Sequence, residues 1–600
     1  LLRQVETQKR EISDLALIGD GQTAMLVDSD GSICWGCWPR FDSPAPFASL
    51  LGDDDNGEWR IAPDNVFQLT RQYQSDTLVL ETRFETQRGA VLLTDFMPYQ
   101  HAPRALVRRV RCLRGTVAMT SRFAPRADFG RSVPKSWREN GRLRVAGEHL
   151  DLALQSTRPD LVAPDLRAAF ELSEGEAVDF VLSAGDDAPK DPGAFAAEAE
   201  ARCVAFWRAW TARCTYIGPW RAVVLRSLIT LKALIYAPTG AMVAAPTSSL
   251  PEQVGGERNW DYRYCWLRDA TFTVMAFLHA GYLEEAEAWV TWFVAATKAN
   301  SGKLYPFYGV NGAPTIEETE ADWLPGFARS RPVRFGNAAR RQLQLDVYGE
   351  AQDAIFQWRG AAERKGDFGW AQQVRMLNHL SGVLDQPDCG IWEQRSHREW
   401  FTQSRVLAWV AFDRVRRSAA RFGLSTPSEW ERRAASLHEE ICTRGYDADL
   451  GAFTRAYGSQ SLDASGLLIG LVGFLPADDP RLIGGLQAVR SQLGDGPFLR
   501  RYDASRERDG MDGGEGAFLA CSFWMADNLV LLGRRDEAAG IFEQVAGVAN
   551  DVGLLSEEFD VSGKRLVGNF PQALTHLALV HTALNLTGDG PAHRRANTDY

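Results

Sequence analysis

The chain has 600 residues, several times the usual domain length, so at least two domains are expected, each with its own core. A formal charge of -11 speaks against a nucleic-acid partner, since neutralising phosphates takes clustered Lys and Arg, and it suits a neutral ligand. The nine cysteines are scattered and mostly apolar in setting, as at Cys203, Cys214, Cys265 and Cys521, which reads as a reduced, cytoplasmic protein.

From about 12 to 190 the chain alternates short β-rich runs with Gly and Asp turns: 23–27, 32–38, 78–84, 90–96, 104–113 and 143–154. This pattern predicts an antiparallel β-sandwich over 1–190, a supporting domain that lends a loop to the functional site. Cys34 and Cys37 form a lone C-x-x-C without the two further ligands a zinc site needs, so they read as strand-and-turn packing, and neither metal nor cofactor is expected. A linker at 187–192 and a helix over about 194–212 follow, so that 191–215 joins the two domains.

Beyond 216 the apolar period changes from two to about 3.6. Twelve helices are predicted: 219–236, 269–281, 283–298, 346–364, 367–384, 398–423, 427–445, 463–475, 479–493, 515–533, 535–549 and 569–586. Connections after the even-numbered helices are short and those after the odd-numbered ones are long. All short turns therefore fall on one end of the assembly and all long loops on the other. Six such hairpins closed into a ring form an (α/α)6 barrel over 216–600, whose long-loop rim is the natural place for function. The apolar run 467–475 falls far short of a membrane span, and no membrane partner is expected.

The richest polar and aromatic clusters lie in those long loops. Residues 259–270 hold Trp260, Asp261, Tyr262, Arg263, Tyr264, Trp266, Arg268 and Asp269, a poor core segment and a good wall for a sugar: rings cover the apolar faces of a pyranose, and an Arg–Asp pair fixes its hydroxyls. Trp392, Glu393 and Gln394 lie before the sixth helix; Glu557 and Glu558 lie before the twelfth. Two carboxyl groups at one rim are what glycoside cleavage needs, an acid for the leaving oxygen and a base for water. The apolar neighbour Trp392 raises the Glu393 carboxyl and keeps its proton near neutral pH. Neither H-E-x-x-H nor a P-loop is present.

Residues 18–27 (Ile-Gly-Asp-Gly-Gln-Thr-Ala-Met-Leu-Val), 31–35 and 39–44 resemble the N-terminal domain of glycoside hydrolase family 15, the glucoamylase-like family, in its bacterial and archaeal branch of glucoamylases, glucodextranases and trehalases. Segments 262–269, 336–339, 344–349, 515–524 and 568–572 resemble its barrel. The resemblance implies that Glu393 is the general acid and Glu557 the general base. It implies sugar contacts at Tyr262, Trp266, Arg268, Asp269, Trp392, Gln394 and Glu558, with Gln394 standing where the family commonly has Glu. The expected activity is inverting, exo-acting release of β-glucose from α-glucans or oligosaccharides, of the glucoamylase type. The alternatives are an α,α-trehalase of the same family and, from a different class, a carbohydrate-binding protein without catalysis.

Overall fold

The computed structural model describes all residues except 1–9, 165, 315, 363–367, 506–508, 589, 593, 594 and 596–600. Its N-terminal part is antiparallel throughout: β1 Leu15–Gly19, β2 Ala24–Asp28, β3 Ser32–Gly36, β4 Glu58–Pro63, β5 Gln68–Tyr73, β6 Leu80–Glu85, β7 Gly89–Phe96, β8 Ala105–Ala124, β9 Lys135–Glu139, β10 Arg142–Gly147, β11 Leu150–Ser156, β12 Arg167–Ser173 and β13 Ala177–Ala184. Strand β8, 20 residues long, belongs to two layers. Its first half pairs with β7 and β13, its second half with β4 and β12.

The chain passes from one layer to the other at Gly115, whose φ of 67° suits glycine and where a Cβ would lie 2.1 Å from the Arg88 carbonyl oxygen. Between the layers Trp59 of β4 meets Phe180 of β13 edge-on at 6.2 Å. Sequence alternation anticipated the sandwich, but it read 104–113 as a short strand and did not foresee that β8 serves both sheets. The run 143–154 is the hairpin β10–β11.

Helix α1 (Pro192–Thr211) is capped by Asp191, whose carboxylate accepts from the Gly193 and Ala194 amides. The barrel follows as α2 Arg221–Ala233, α3 Ala270–His279, α4 Leu283–Thr297, α5 Asp346–Ala361, α6 Trp370–Val383, α7 Thr402–Phe422, α8 Ser428–Arg444, α9 Leu468–Leu471, α10 Pro480–Leu493, α11 Leu519–Leu531, α12 Arg535–Ala546 and α13 Ala573–Thr587. Helices α3, α5, α7, α9, α11 and α13 form the inner ring, closed by α13 against α3. Their burial shows it: every α5 residue from Asp346 to Arg359 is buried, whereas outer α8 buries one stripe, Trp430, Ala434, Leu437 and Ile441. Inner helices begin at the long-loop rim, so their first residues face it.

Several predicted helices differ in extent, by up to four residues at the starts of 398–423 and 569–586, and at two others a local competitor is visible. The 463–475 element is a 3-10 turn (Ala464–Leu467) and the single turn α9, because Gly466 and Gly470 weaken the helix and Gly473, at φ 71°, ends it. The 515–533 element opens at Leu519, because Ala517 and Phe518 pair as a strand with Phe559 and Glu558. Residues 363–367, part of two predicted helices, lie outside the described residues. No helix among the described residues is long and apolar enough to cross a membrane.

The sandwich packs on the rim. Trp35 Nε1 donates to the Pro246 carbonyl at 2.8 Å, Asn550 Nδ2 to the Leu15 carbonyl at 2.7 Å, and Arg71 pairs with Asp551 at 2.6 Å.

Candidate active site

The stretch 259–269 crosses the rim as two short strands, Asn259–Asp261 paired with Ser248–Pro251 and Cys265–Trp266 paired with Phe307–Tyr308. Between them Arg263 is buried and stands outside the cavity lining, against the sandwich. It binds Asp261 at 2.7 Å, donates to the Ser43 carbonyl at 3.0 Å, and lies 5.0 Å from the Phe129 ring and 5.4 Å from that of Phe335. Asp261 also accepts from the Gly336 amide at 2.8 Å. The sandwich thus supplies the anchor that holds this stretch, through Ser43 and Phe129.

With the backbone fixed, Tyr262, Trp266 and Arg268 reach the two carboxyl groups. Trp266 Nε1 donates to Glu393 Oε1 at 2.5 Å, and Arg268 Nη1 lies 3.3 Å from the same oxygen. Tyr262 Oη donates to Glu557 Oε1 at 2.6 Å, and its ring stands edge-on to Trp266 at 5.2 Å. A chain of contacts therefore runs from Glu393 through Trp266 and Tyr262 to Glu557. Asp269, at the start of α3, accepts from Arg268 Nε at 3.0 Å and leaves the helix amides uncapped by its side chain. Its carboxylate orients the guanidinium.

Glu393 has φ 60°, a left-handed conformation that costs a non-glycine residue energy and that clusters at functional sites. Burial raises its carboxyl above the usual range, against the opposing pull of Arg268 and the Trp266 N–H. Glu557 is fully buried. Its Oε2 accepts from the Asn569 amide at 3.3 Å, and Gly568 passes so close that a Cβ there would lie 2.7 Å from the carboxylate. Burial first, and then the charge of Glu252, push the Glu557 carboxyl up; Arg501 and the Tyr262 hydroxyl favour its ionised form.

Tyr262, Arg268, Trp392, Glu393 and Gln394 line one cavity. The other four residues named from sequence stand directly behind that lining: Trp266 on Glu393, Asp269 on Arg268, Glu557 on Tyr262 and Glu558 on Arg501. Trp392 Nε1 is held by Asp463 at 3.0 Å, which sets the indole against the pocket.

A second cluster was not singled out from sequence. Arg501 Nη2 lies 2.8 Å from Glu252, 2.6 Å from Glu515 and 3.3 Å from Glu558, and Glu252 also accepts from Trp260 Nε1 at 3.0 Å. Among the described residues these three glutamates are the group whose oxygens converge as metal ligands do, and Arg501 supplies the positive charge at their centre. Arg258, Tyr502 and Asp509, also in the lining, were likewise missed. Arg258 stands one residue ahead of the aromatic stretch, the one hint the sequence carried.

The comparisons bear on what this arrangement does. Residues 218–584 match the model for glycosyl hydrolases family 15, and residues 5–192 match a model described as trehalase-like, N-terminal. The chain belongs to glycosyl hydrolases family 15. It is a glycoside hydrolase. It is 34% identical to a trehalase of Mycolicibacterium smegmatis, over 96% of this chain and 91% of that one, and 34% identical to a trehalase of Thermoplasma acidophilum, over 94% and 98%. Its fold matches that of a bacterial glucoamylase complexed with acarbose, with a TM-score of 0.75 at 13% identity, over 100% of this chain and 98% of that one.

Proposed function

We propose that this family 15 hydrolase is an α,α-trehalase that works with inversion. The full-length similarity to relatives named trehalase carries the choice of substrate, and it displaces the glucoamylase reading that the motifs alone favoured. In this reading Arg268, oriented by Asp269, grips the hydroxyls of one glucose. Glu393 protonates the bridging oxygen while Glu557 takes a proton from water on the opposite face, so one glucose leaves as the β anomer and the other departs as α.

The hydrogen bonding supports this division of labour. Trp266 and Arg268 hold Glu393 at the pocket wall, and Tyr262 holds Glu557 from the far side of the same aromatic pair. The assay is glucose release from trehalose, maltooligosaccharides and isomaltose side by side. Trehalose is expected to give the highest kcat/KM, and faster cleavage of maltooligosaccharides would restore the glucoamylase reading.

A further inference from the structure

The groups assigned to the reaction account for only part of the cavity lining, and other lining residues carry chemistry they do not use. Arg258 lines that wall and is 4% exposed. Its Nη1 lies 2.7 Å from Asp509 and 3.4 Å from the Tyr502 hydroxyl, and that hydroxyl in turn donates to Asp509 at 2.7 Å. One edge of the guanidinium is therefore fixed. Nε and Nη2 find no hydrogen-bond partner in the protein, although a buried donor normally has one. In the same lining the Gln394 side-chain oxygen is likewise an acceptor without a donor. Spare donors and a spare acceptor in one pocket match adjacent sugar hydroxyls, each of which gives one hydrogen bond and takes others.

The wall is also tied off. The Arg395 side chain binds Glu318 through both terminal nitrogens, at 2.9 Å for Nη1, while its amide donates to the Asp509 carbonyl at 3.2 Å. A single residue thus staples the loop that carries Glu318 to the loop that carries Asp509. Trp260 lies under this staple, with the Arg395 guanidinium 4.2 Å and that of Arg334 4.7 Å from its ring. These ties join two loops of the cavity wall, as a subsite that ends after one sugar requires.

We infer that Arg258, fixed by Asp509 and Tyr502, is the specificity residue that reads the hydroxyls of the leaving glucose, in a subsite that ends after one sugar. This rests on the trehalase reading and adds the residue that enforces it. A site built to hydrogen-bond a substrate hydroxyl discriminates strongly against substrates that lack it.

The test compares Arg258→Met and Arg258→Lys with the wild type on trehalose and on α-glucosyl fluoride, which has the same reacting glucose and no leaving sugar. For Arg258→Met, kcat/KM is expected to fall about 10–100-fold further on trehalose than on the fluoride, mainly through KM, with Arg258→Lys between the two. Equal losses on both substrates would mean that Arg258 merely supports the fold, and no loss on trehalose would mean that it touches no sugar; either overturns the inference. If the wild type cleaves maltose and not trehalose, the trehalase reading falls by itself, and the ratio of maltose to fluoride then judges Arg258 in the same way.

Discussion

Replacing Tyr262 by Phe removes one oxygen and leaves the ring in its place 5.2 Å from Trp266. Glu557 then loses the 2.6 Å donor on Oε1 and keeps the Asn569 amide on Oε2. A hydrogen bond to a charged group is worth about 1.5–3 kcal/mol, and 1.36 kcal/mol corresponds to one pKa unit, so the Glu557 pKa rises by about 1–2 units. The sign follows from the role. A general base acts when ionised, the hydroxyl favours the ionised form, and its loss moves the rising, acid-side limb of the pH profile to higher pH. On that limb kcat/KM for trehalose falls about 10–100-fold, and because Glu393 must stay protonated the loss is not recovered in full at higher pH. The assay is the full pH profile of both enzymes. A limb that stays in place, or moves down, would refute the assignment of Tyr262 as the group that tunes Glu557.

Glu252→Gln acts in the opposite sense: the Glu252 charge is the main cause after burial of the raised Glu557 carboxyl, so its removal shifts the acid limb to lower pH, and an upward shift would contradict the electrostatic account. Glu393→Gln removes the proposed proton donor while keeping its shape; trehalose hydrolysis is expected to drop by about 10²–10⁴-fold while calorimetry still detects trehalose binding, and near-normal turnover would rule out Glu393 as the acid. Asp261→Ala leaves the Arg263 guanidinium buried without its carboxylate, a loss of about 3–5 kcal/mol that thermal denaturation registers as a clear fall in Tm. An unchanged Tm would mean that Arg263 does not anchor the aromatic stretch to the sandwich.

The helical half was legible because its periodicity reports burial directly. Outer helices such as α8 carry one apolar stripe, and inner ones such as α5 are buried on all sides, which explains why alternating short and long connections revealed the ring. Among the helix limits that were misplaced, those at 463–475 and 515–518 gave way to glycine and to a local strand, competitors that depend on neighbours sequence does not display. The candidate site could be named from sequence to the extent that its residues cluster along the chain: 259–269, 392–394 and 557–558. What joins them was hidden, since the Tyr262–Glu557 bond spans 295 positions. The Arg501 cluster and the Arg258–Asp509 pair were invisible for the same reason. Glu515 and Glu558 lie in recognisable segments, but Glu252, Arg258, Arg501 and Asp509 sit in loops without period, and only folding turns isolated charges into partners.

In the proposed reaction two carboxyl groups act on opposite faces of one glucose of trehalose. Proton NMR of the first products, recorded before mutarotation, tests it most directly. Single displacement predicts β- and α-glucose in equal amounts, the β from the attacked sugar and the α from the leaving one. Formation of α-glucose alone, or intact trehalose after prolonged incubation with active enzyme, would contradict it.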